Sequence, residues 1–173
     1  IAPFVNAEGP QYLVVENSFP NGRPALEKAG VYVADRDTVN KSERMKVTVC
    51  LNPIHTALGP YGCVLGYELF PDEMRDPDML KLANVVGYKE GMDVVPDPVI
   101  LSPKAFLDEL MTDRFPNMYL GDTCLRLCTD SSQGLGVRFG VTVQSYVEKY
   151  GDAKKLIGIP LAITGWLRYL LGV

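Results

Sequence analysis

Between Glu43 and Leu58 the chain reads Glu-Arg-Met-Lys-Val-Thr-Val-Cys-Leu-Asn-Pro-Ile-His-Thr-Ala-Leu. This sets Lys46, Asn52 and His55 into an otherwise apolar, helix-like stretch. An apolar wall disfavours the charged form of a lysine and lowers its pKa. Such an amine can serve as a general base near neutral pH. An asparagine amide can donate to a carbonyl oxygen that gains negative charge in a transition state. His55 lies three residues beyond Asn52, one helical turn on and on the same face. The spacing alone leaves the plainer reading open, in which His and Asn are ordinary hydrogen-bonding groups of a helix.

Other reactive side chains are sparse. Cys50, Cys63, Cys124 and Cys128 form no C-x-x-C pair and sit in apolar segments, as expected of buried, reduced thiols in a cytoplasmic protein. With one histidine in the chain and no ligand pair at finger spacing, zinc chemistry is not expected. Arg126 can pair a carboxylate in bidentate fashion, or bond Asp122 or Asp130 on its own helix. Asp72, Glu73, Asp76 and Asp78 overlap a helix start, where carboxylates complement the dipole, and read as a solvated face. Gly134, Gly136 and Gly140 imitate a phosphate-cradling loop. Their G-x-G-x-x-x-G spacing and helical flanks do not match the dinucleotide fingerprint, and a helix-to-helix turn with close backbone packing is expected there.

The elements that must position these residues are mostly helical. Gln11 to Val15 and Val31 to Val33 are short β-type runs that either pair with each other or finish a sheet with other strands. From Asp37 the texture changes. Asp37-Thr38 can cap a helix running through Lys41, Met45, Val49 and Leu51. Pro53 and Pro60 predict a kink or break near each. Asp76-Pro77 opens a helix that ends at Gly87, and Ser102-Pro103 starts one with Phe106, Leu107, Leu110 and Met111 on one face. Further helices are expected over 123–130, 137–149 and 153–171. The fold class is therefore mainly α with a short β prelude: residues 1–36 form a β-containing segment and 37–173 a helical domain.

With 173 residues the chain can bury roughly 70% of its unfolded surface. A composition 47% hydrophobic and 22% charged excludes disordered, collagen-like and coiled-coil classes. The net charge of −4 gives no basic footprint for nucleic acid or an anionic membrane. No apolar run is long enough to span a bilayer. The chain starts Ile1-Ala2-Pro3 and ends on an apolar run from Trp166 to Val173, and reads as a piece of a longer polypeptide.

Taken in order, the Lys46, Asn52 and His55 segment resembles the signature of the mannitol dehydrogenase and fructuronate (mannonate) reductase family of polyol-specific long-chain dehydrogenases. Glu43, Met45 and Ala57-Leu58 fit the same pattern. So do Phe19, Arg23-Pro24, Glu27 and Gly30 upstream. Arg114-Phe115-Pro116-Asn117, with Arg126 and Asp130-Ser131-Ser132-Gln133, resembles the family's second block, and Gly165 to Gly172 its last long helix. The resemblance implies a helical C-terminal substrate domain of the 6-phosphogluconate dehydrogenase C-terminal-like kind. It implies Lys46 as general acid/base, Asn52 polarising the reacting carbonyl, His55 on a substrate hydroxyl and Arg126 on a sugar carboxylate. The substrate would be a sugar acid or polyol. NAD or NADP would be bound mainly by an N-terminal Rossmann domain of the same polypeptide, so this piece alone is expected to show no turnover.

Two positions depart from the family pattern. Five residues, Val47 to Leu51, separate Lys46 from Asn52, where the family usually has four. On a regular helix the extra residue turns Lys46 by about 100° from the face of Asn52. Either Lys46 leaves the site, or the helix absorbs the residue as a π-bulge. Pro53 cannot donate to the Val49 carbonyl, so a bulge or kink is predicted between Val47 and Pro53. Gly134 stands where the family often carries a lysine. Two rival readings remain: a non-catalytic helical module for metabolite binding or subunit contact, and a 6-phosphogluconate-type dehydrogenase, whose phosphorylated substrate calls for more basic residues than this region offers.

Overall fold

The computed structural model describes residues 12–172; Gln11, expected to begin the first β-type run, lies outside them. Two short strands come first, β1 (Val14–Glu16) and β2 (Tyr32–Ala34). They pair with each other in parallel, Val14 opposite Tyr32 and Glu16 opposite Ala34. A parallel pair needs a crossover rather than a tight hairpin. The intervening chain supplies it, with a 3₁₀ turn at Leu26–Ala29.

Helix α1 (Arg36–Met45) follows. Its cap is Asp35, not the expected Asp37-Thr38: the Asp35 carboxylate accepts the Thr38 N–H at 2.7 Å. Asp35 still has extended backbone, as an N-cap requires, whereas Asp37 is already helical. The helical path then widens into a π-turn at Lys46–Cys50, where the Leu51 N–H donates to the Lys46 carbonyl at 3.1 Å. This i→i+5 bond holds one more residue than an α-turn, at the place where the sequence has one residue in excess.

Helix α2 (Asn52–Leu65) starts with Pro53 in its first turn, where the missing N–H has no intrahelical partner to lose. It runs unbroken through Pro60, contrary to the expected interruption. Every residue from Pro53 to Pro60 is buried, so the surrounding packing holds the helix where propensity would break it. The helices α3 (Phe70–Glu73), α4 (Pro77–Asn84), α5 (Pro103–Glu109), α6 (Cys124–Leu127), α7 (Ser131–Leu135), α8 (Val141–Tyr150) and α9 (Gly158–Leu170) complete the bundle. The Asp76, Ser102 and Thr123 side chains cap α4, α5 and α6. Gly136–Gly140 is a π-turn between α7 and α8. The glycine run is thus an interior stretch of a continuous helical rod, not a turn between helices. A Cβ at Gly136 or Gly140 would meet nothing, so these glycines do not mediate close packing either.

The mainly α architecture is built around α2, which packs against α3, α4, α6 and α9. Met45, Ile54, Leu58, Phe70, Leu107, Leu110, Phe115 and Phe139 are its largest apolar contributors to the core, each at most 2% exposed. The start of α9 is held at a distance: the Glu90 carboxylate accepts the N–H groups of Ile157, Gly158 and Ile159 at 2.5, 2.6 and 2.9 Å. Further along, α9 crosses α2 where Gly165 faces Tyr61. A Cβ at position 165 would lie 2.4 Å from the Tyr61 ring, and that ring is tied to α9 through its hydroxyl, which donates to the Leu161 carbonyl at 2.9 Å.

Gly165→Ala is therefore expected to force α9 off α2. Overpacking of this kind costs about 1–3 kcal/mol. Thermal unfolding should show a midpoint several degrees lower, and Tyr61→Leu in the same chain should recover part of the loss. An unchanged midpoint would mean the crossing is looser than its contacts indicate.

Candidate functional site

The centre of the site is the carboxylate of Asp122, in the segment leading into α6. Its side chain is 5% exposed. Arg114, at the end of the π-turn Leu110–Arg114 that extends α5, places Nη1 3.2 Å from Asp122 Oδ2. Arg126 pairs with Asp122 Oδ1 from the first turn of α6. Of the alternatives open for Arg126, a carboxylate ligand or Asp122 or Asp130, the structure shows Asp122, while the side chain stays 62% exposed and open to a further partner.

His55 of α2 is packed edge-on to Phe70 at 4.7 Å between ring centroids and tilted against Phe115 at 5.0 Å. Its Nε2 lies 3.5 Å from Arg114 Nη1 and 3.9 Å from Asp122 Oδ2. Burial, and then the charges of Arg114, Arg138 and Arg126, bring its pKa down to about 3. His55 is a neutral imidazole. A guanidinium only donates, so Nε2 is the acceptor and the ring proton belongs on Nδ1. A neutral ring can receive one hydrogen bond and give another, as orienting a hydroxyl requires.

Asn52 starts α2 one turn before His55 and is partly buried. Its carbonyl accepts the Thr56 hydroxyl at 2.8 Å, and Thr56 Oγ1 in turn accepts Arg138 Nη1 at 2.6 Å. Arg138 also reaches back over Gly134, where a Cβ would lie 3.4 Å from its guanidinium carbon. Lys46 opens the π-turn before α2 and is exposed. The described residues do not supply the apolar wall expected around its amine: Met45 before it and Thr48 to Cys50 after it are buried, while Lys46 itself is exposed. The Lys46 side chain makes no hydrogen bond or ion pair with any other described residue.

The structure therefore brings His55 and Arg126 together on Asp122 and sets Asn52 one turn away; Lys46 stands at the open end of the same helical path. Arg114 and Arg138 complete the surroundings. The sequence marked Arg114 only as part of the second block of the family resemblance; its spacing of four and seven residues from Leu110 and Leu107 was the local signal that could have placed it on the apolar face. Nothing local marked Arg138, which lies within the glycine run. The locality carries three guanidinium groups against one buried carboxylate, in a chain whose net charge is −4.

Between α2 and α6 lies Glu73, which overturns the solvated reading of the acidic cluster for that residue. Asp76 caps α4 and Asp72 pairs with Arg75 at 2.9 Å, but Glu73 is 0% exposed. It fits because position 62 of α2 is glycine: a Cβ there would lie 1.7 Å from Glu73 Oε1. The Cys124 thiol donates to Oε1 at 2.7 Å, and Oε2 has no hydrogen-bond partner among the described residues. Burial pushes the carboxyl up to about 7, against the opposing pull of the Cys124 bond.

The family model described as mannitol dehydrogenase C-terminal domain matches residues 38–173. The D-mannonate oxidoreductase of Thermotoga maritima is 55% identical, over all of this chain and 32% of that protein. The D-mannonate oxidoreductase of Escherichia coli is 32% identical, over 92% of the chain and 32% of that protein. Among solved structures, D-sorbitol dehydrogenase in substrate-free form matches with a TM-score of 0.81 at 28% identity, covering 92% of this chain and 31% of that one. The Pseudomonas fluorescens mannitol 2-dehydrogenase ternary complex with NAD and D-mannitol matches with a TM-score of 0.75 at 29% identity, with the same coverage. The chain thus spans about a third of the length of these relatives.

Two of the buried titratable groups, Glu73 and His55, give opposite pH dependences. Glu73 has a folded pKa of about 7, above its ordinary 4.5. Its contribution is complete below pH 4.5 and lost as pH rises through 7. His55 has a folded pKa of about 3, below its ordinary 6.5. Its contribution is complete above pH 6.5 and lost as pH falls toward 3. Between pH 4.5 and 6.5 the two slopes oppose each other. Glu73→Gln removes one of them, so the variant should lose stability on acidification through that window by up to about 2–3 kcal/mol more than wild type. At pH 8 it should be the more stable protein. Parallel unfolding curves for the two proteins across this range would contradict the assignment.

Proposed function

This chain belongs to the mannitol dehydrogenase C-terminal domain family, and from that premise we propose that it is the substrate-binding and catalytic part of an NAD(P)-dependent secondary-alcohol dehydrogenase. The reaction interconverts a ketose or keto-uronate with its alcohol, and the fructuronate/mannonate pair is the favoured substrate. The observation that carries this reading is the set of guanidinium groups about neutral His55, on the helix that begins with Asn52: Arg114 and Arg126 on the Asp122 carboxylate and Arg138 on Thr56. Such a locality attracts an anion, and the exposed fork of Arg126 suits a sugar carboxylate.

In this reading Lys46 takes the hydroxyl proton during oxidation and, as ammonium, returns it during reduction. Asn52 donates to the oxygen that gains charge. His55 orients a neighbouring hydroxyl, and Arg126 fixes the carboxylate end so that the reacting carbon is held in place. A bound nicotinamide would provide the hydride acceptor or donor for the carbon that these residues hold. Its nucleotide does not fit the glycine run of this chain, which is helical, and is assigned to an N-terminal Rossmann domain of the same polypeptide, of which residues 1–36 are the end or the link to the helical domain. The D-mannonate oxidoreductase relatives support the sugar-acid choice, and the NAD complex of the mannitol 2-dehydrogenase supports the nucleotide. A lysine base leaves no step that calls for a metal. A cytoplasmic setting accords with four free cysteines.

The test uses the full-length protein, with fructuronate, tagaturonate and fructose as substrates and NADH or NADPH oxidation as the readout. Rapid reduction of fructuronate, reduced by at least about 10²-fold in Lys46→Ala, is the expected result. Turnover that survives the substitution removes Lys46 from the mechanism. Preference for fructose moves the assignment to a mannitol 2-dehydrogenase, and no turnover on any of the three moves it to a non-catalytic module.

A further inference from the structure

Three of the four cysteines meet where α6 lies on α2. The contact is close because α2 presents small residues: a Cβ at Gly59 would lie 2.9 Å from Leu127 Cβ and 3.7 Å from Cys128 Sγ. Cys124 opens α6 and Cys128 caps its C-terminal end one turn on, and both face α2. Cys124 is engaged, its thiol donating to Glu73 at 2.7 Å. The other two sulfurs face each other, Cys63 Sγ and Cys128 Sγ being 3.8 Å apart. Cys128 is buried, whereas Cys63 is only partly so and is the sulfur that solvent species reach. Neither thiol has a role in the chemistry proposed above.

We propose that Cys63 and Cys128 are a reversible dithiol–disulfide site, which a peroxide oxidises and an external dithiol restores. The Cys63 sulfur attacks the O–O bond of hydrogen peroxide. That bond breaks, one oxygen stays on Cys63 as the sulfenic acid, and the other leaves as water with the thiol proton. The Cys128 sulfur then attacks the Cys63 sulfur. The S–O bond breaks and the hydroxyl departs as a second water, carrying the Cys128 proton. Two thiols lose two electrons and one peroxide becomes two waters. Closing from 3.8 Å to a disulfide length of about 2.0 Å needs only a small approach. The element that must approach is α6, a single helical turn.

The link would act on the site through α6. Arg126 projects from that same turn, and Asp122 lies just before it. Joining Cys128 to Cys63 fixes both relative to α2 and therefore relative to His55. This consequence rests on the function proposed above; the formation of the link does not.

The experiment is peroxide treatment of the native protein, alkylation of remaining thiols after unfolding, and peptide mapping. The expected product is a species lighter by two hydrogens, with a Cys63–Cys128 cross-linked peptide, alkylated Cys50 and Cys124, and full reversal by dithiothreitol. Cys63→Ser should give no cross-link. Over-oxidation of Cys63 with Cys128 still alkylated, or a link from Cys63 to Cys124, would overturn the site. In the full-length enzyme, the oxidised form should show a KM for the keto-uronate changed at least threefold with kcat little altered, and Cys63→Ser should be insensitive to peroxide. A confirmed link with an unmoved KM would overturn its action on Arg126.

Discussion

A carboxylate buried among guanidinium groups organises this domain's functional face. Asp122 is removed from water, and such a charge is tolerated only when paired and hydrogen-bonded. Arg114 and Arg126 meet that need from two segments. Arg114 closes the helix that begins at Ser102, and Arg126 projects from the short turn of α6. The turn of α6 is too short to hold its place alone, so its ion pair with Asp122 helps fix where its backbone lies. His55, wedged between Phe70 and Phe115 with Nε2 against Arg114, then has one protonation state and one tautomer. The electrostatics of the site thus follow from a structural requirement of the fold.

The second constraint is the burial of α2. A helix enclosed along Pro53–Pro60 cannot rotate to suit one side chain without disturbing all of its packing. The extra residue between Lys46 and Asn52 therefore has to be absorbed outside the packed segment, and the π-turn does so directly before it. Three more π-turns occur among the described residues, at Val85–Gly91, Leu110–Arg114 and Gly136–Gly140. The residues they carry include Glu90, Arg114 and Arg138, each of which bonds to a distant element. Wide turns coincide here with side chains that must be aimed, in keeping with the tendency of π-bulges to occur at functional positions.

What the sequence made legible was local or cumulative. The helical class, the Ser102 cap and the bulge after Lys46 follow from capping chemistry, periodicity and a one-residue excess beside a proline. The pairing of Arg126 with Asp122 was one of the partners its own helix offered. What stayed hidden depended on contacts between distant segments. Glu73 looks like part of a solvated helix start until Gly62 and Cys124, from two other helices, are placed around it. Pro60 breaks a helix by local rules and does not here, because the whole turn is enclosed. The glycines at 134, 136 and 140 look like a turn and are helical because α7 and α8 continue each other. Arg138 had no local mark at all, since its importance lies in reaching Thr56 across the bundle.

The distant cap on α9 bears on the order in which the chain acquires its structure. Helix α9 has no side chain of its own first turn to close its leading N–H groups; Glu90, nearly seventy residues earlier, does so. Helix initiation is the costly step of helix formation, and in α9 it waits on a segment already in place. Because Glu90 leaves the ribosome first, the natural direction of synthesis presents the cap before the helix that needs it. A circular permutation that placed α9 ahead of Glu90 would keep every native contact and reverse that sequence of events.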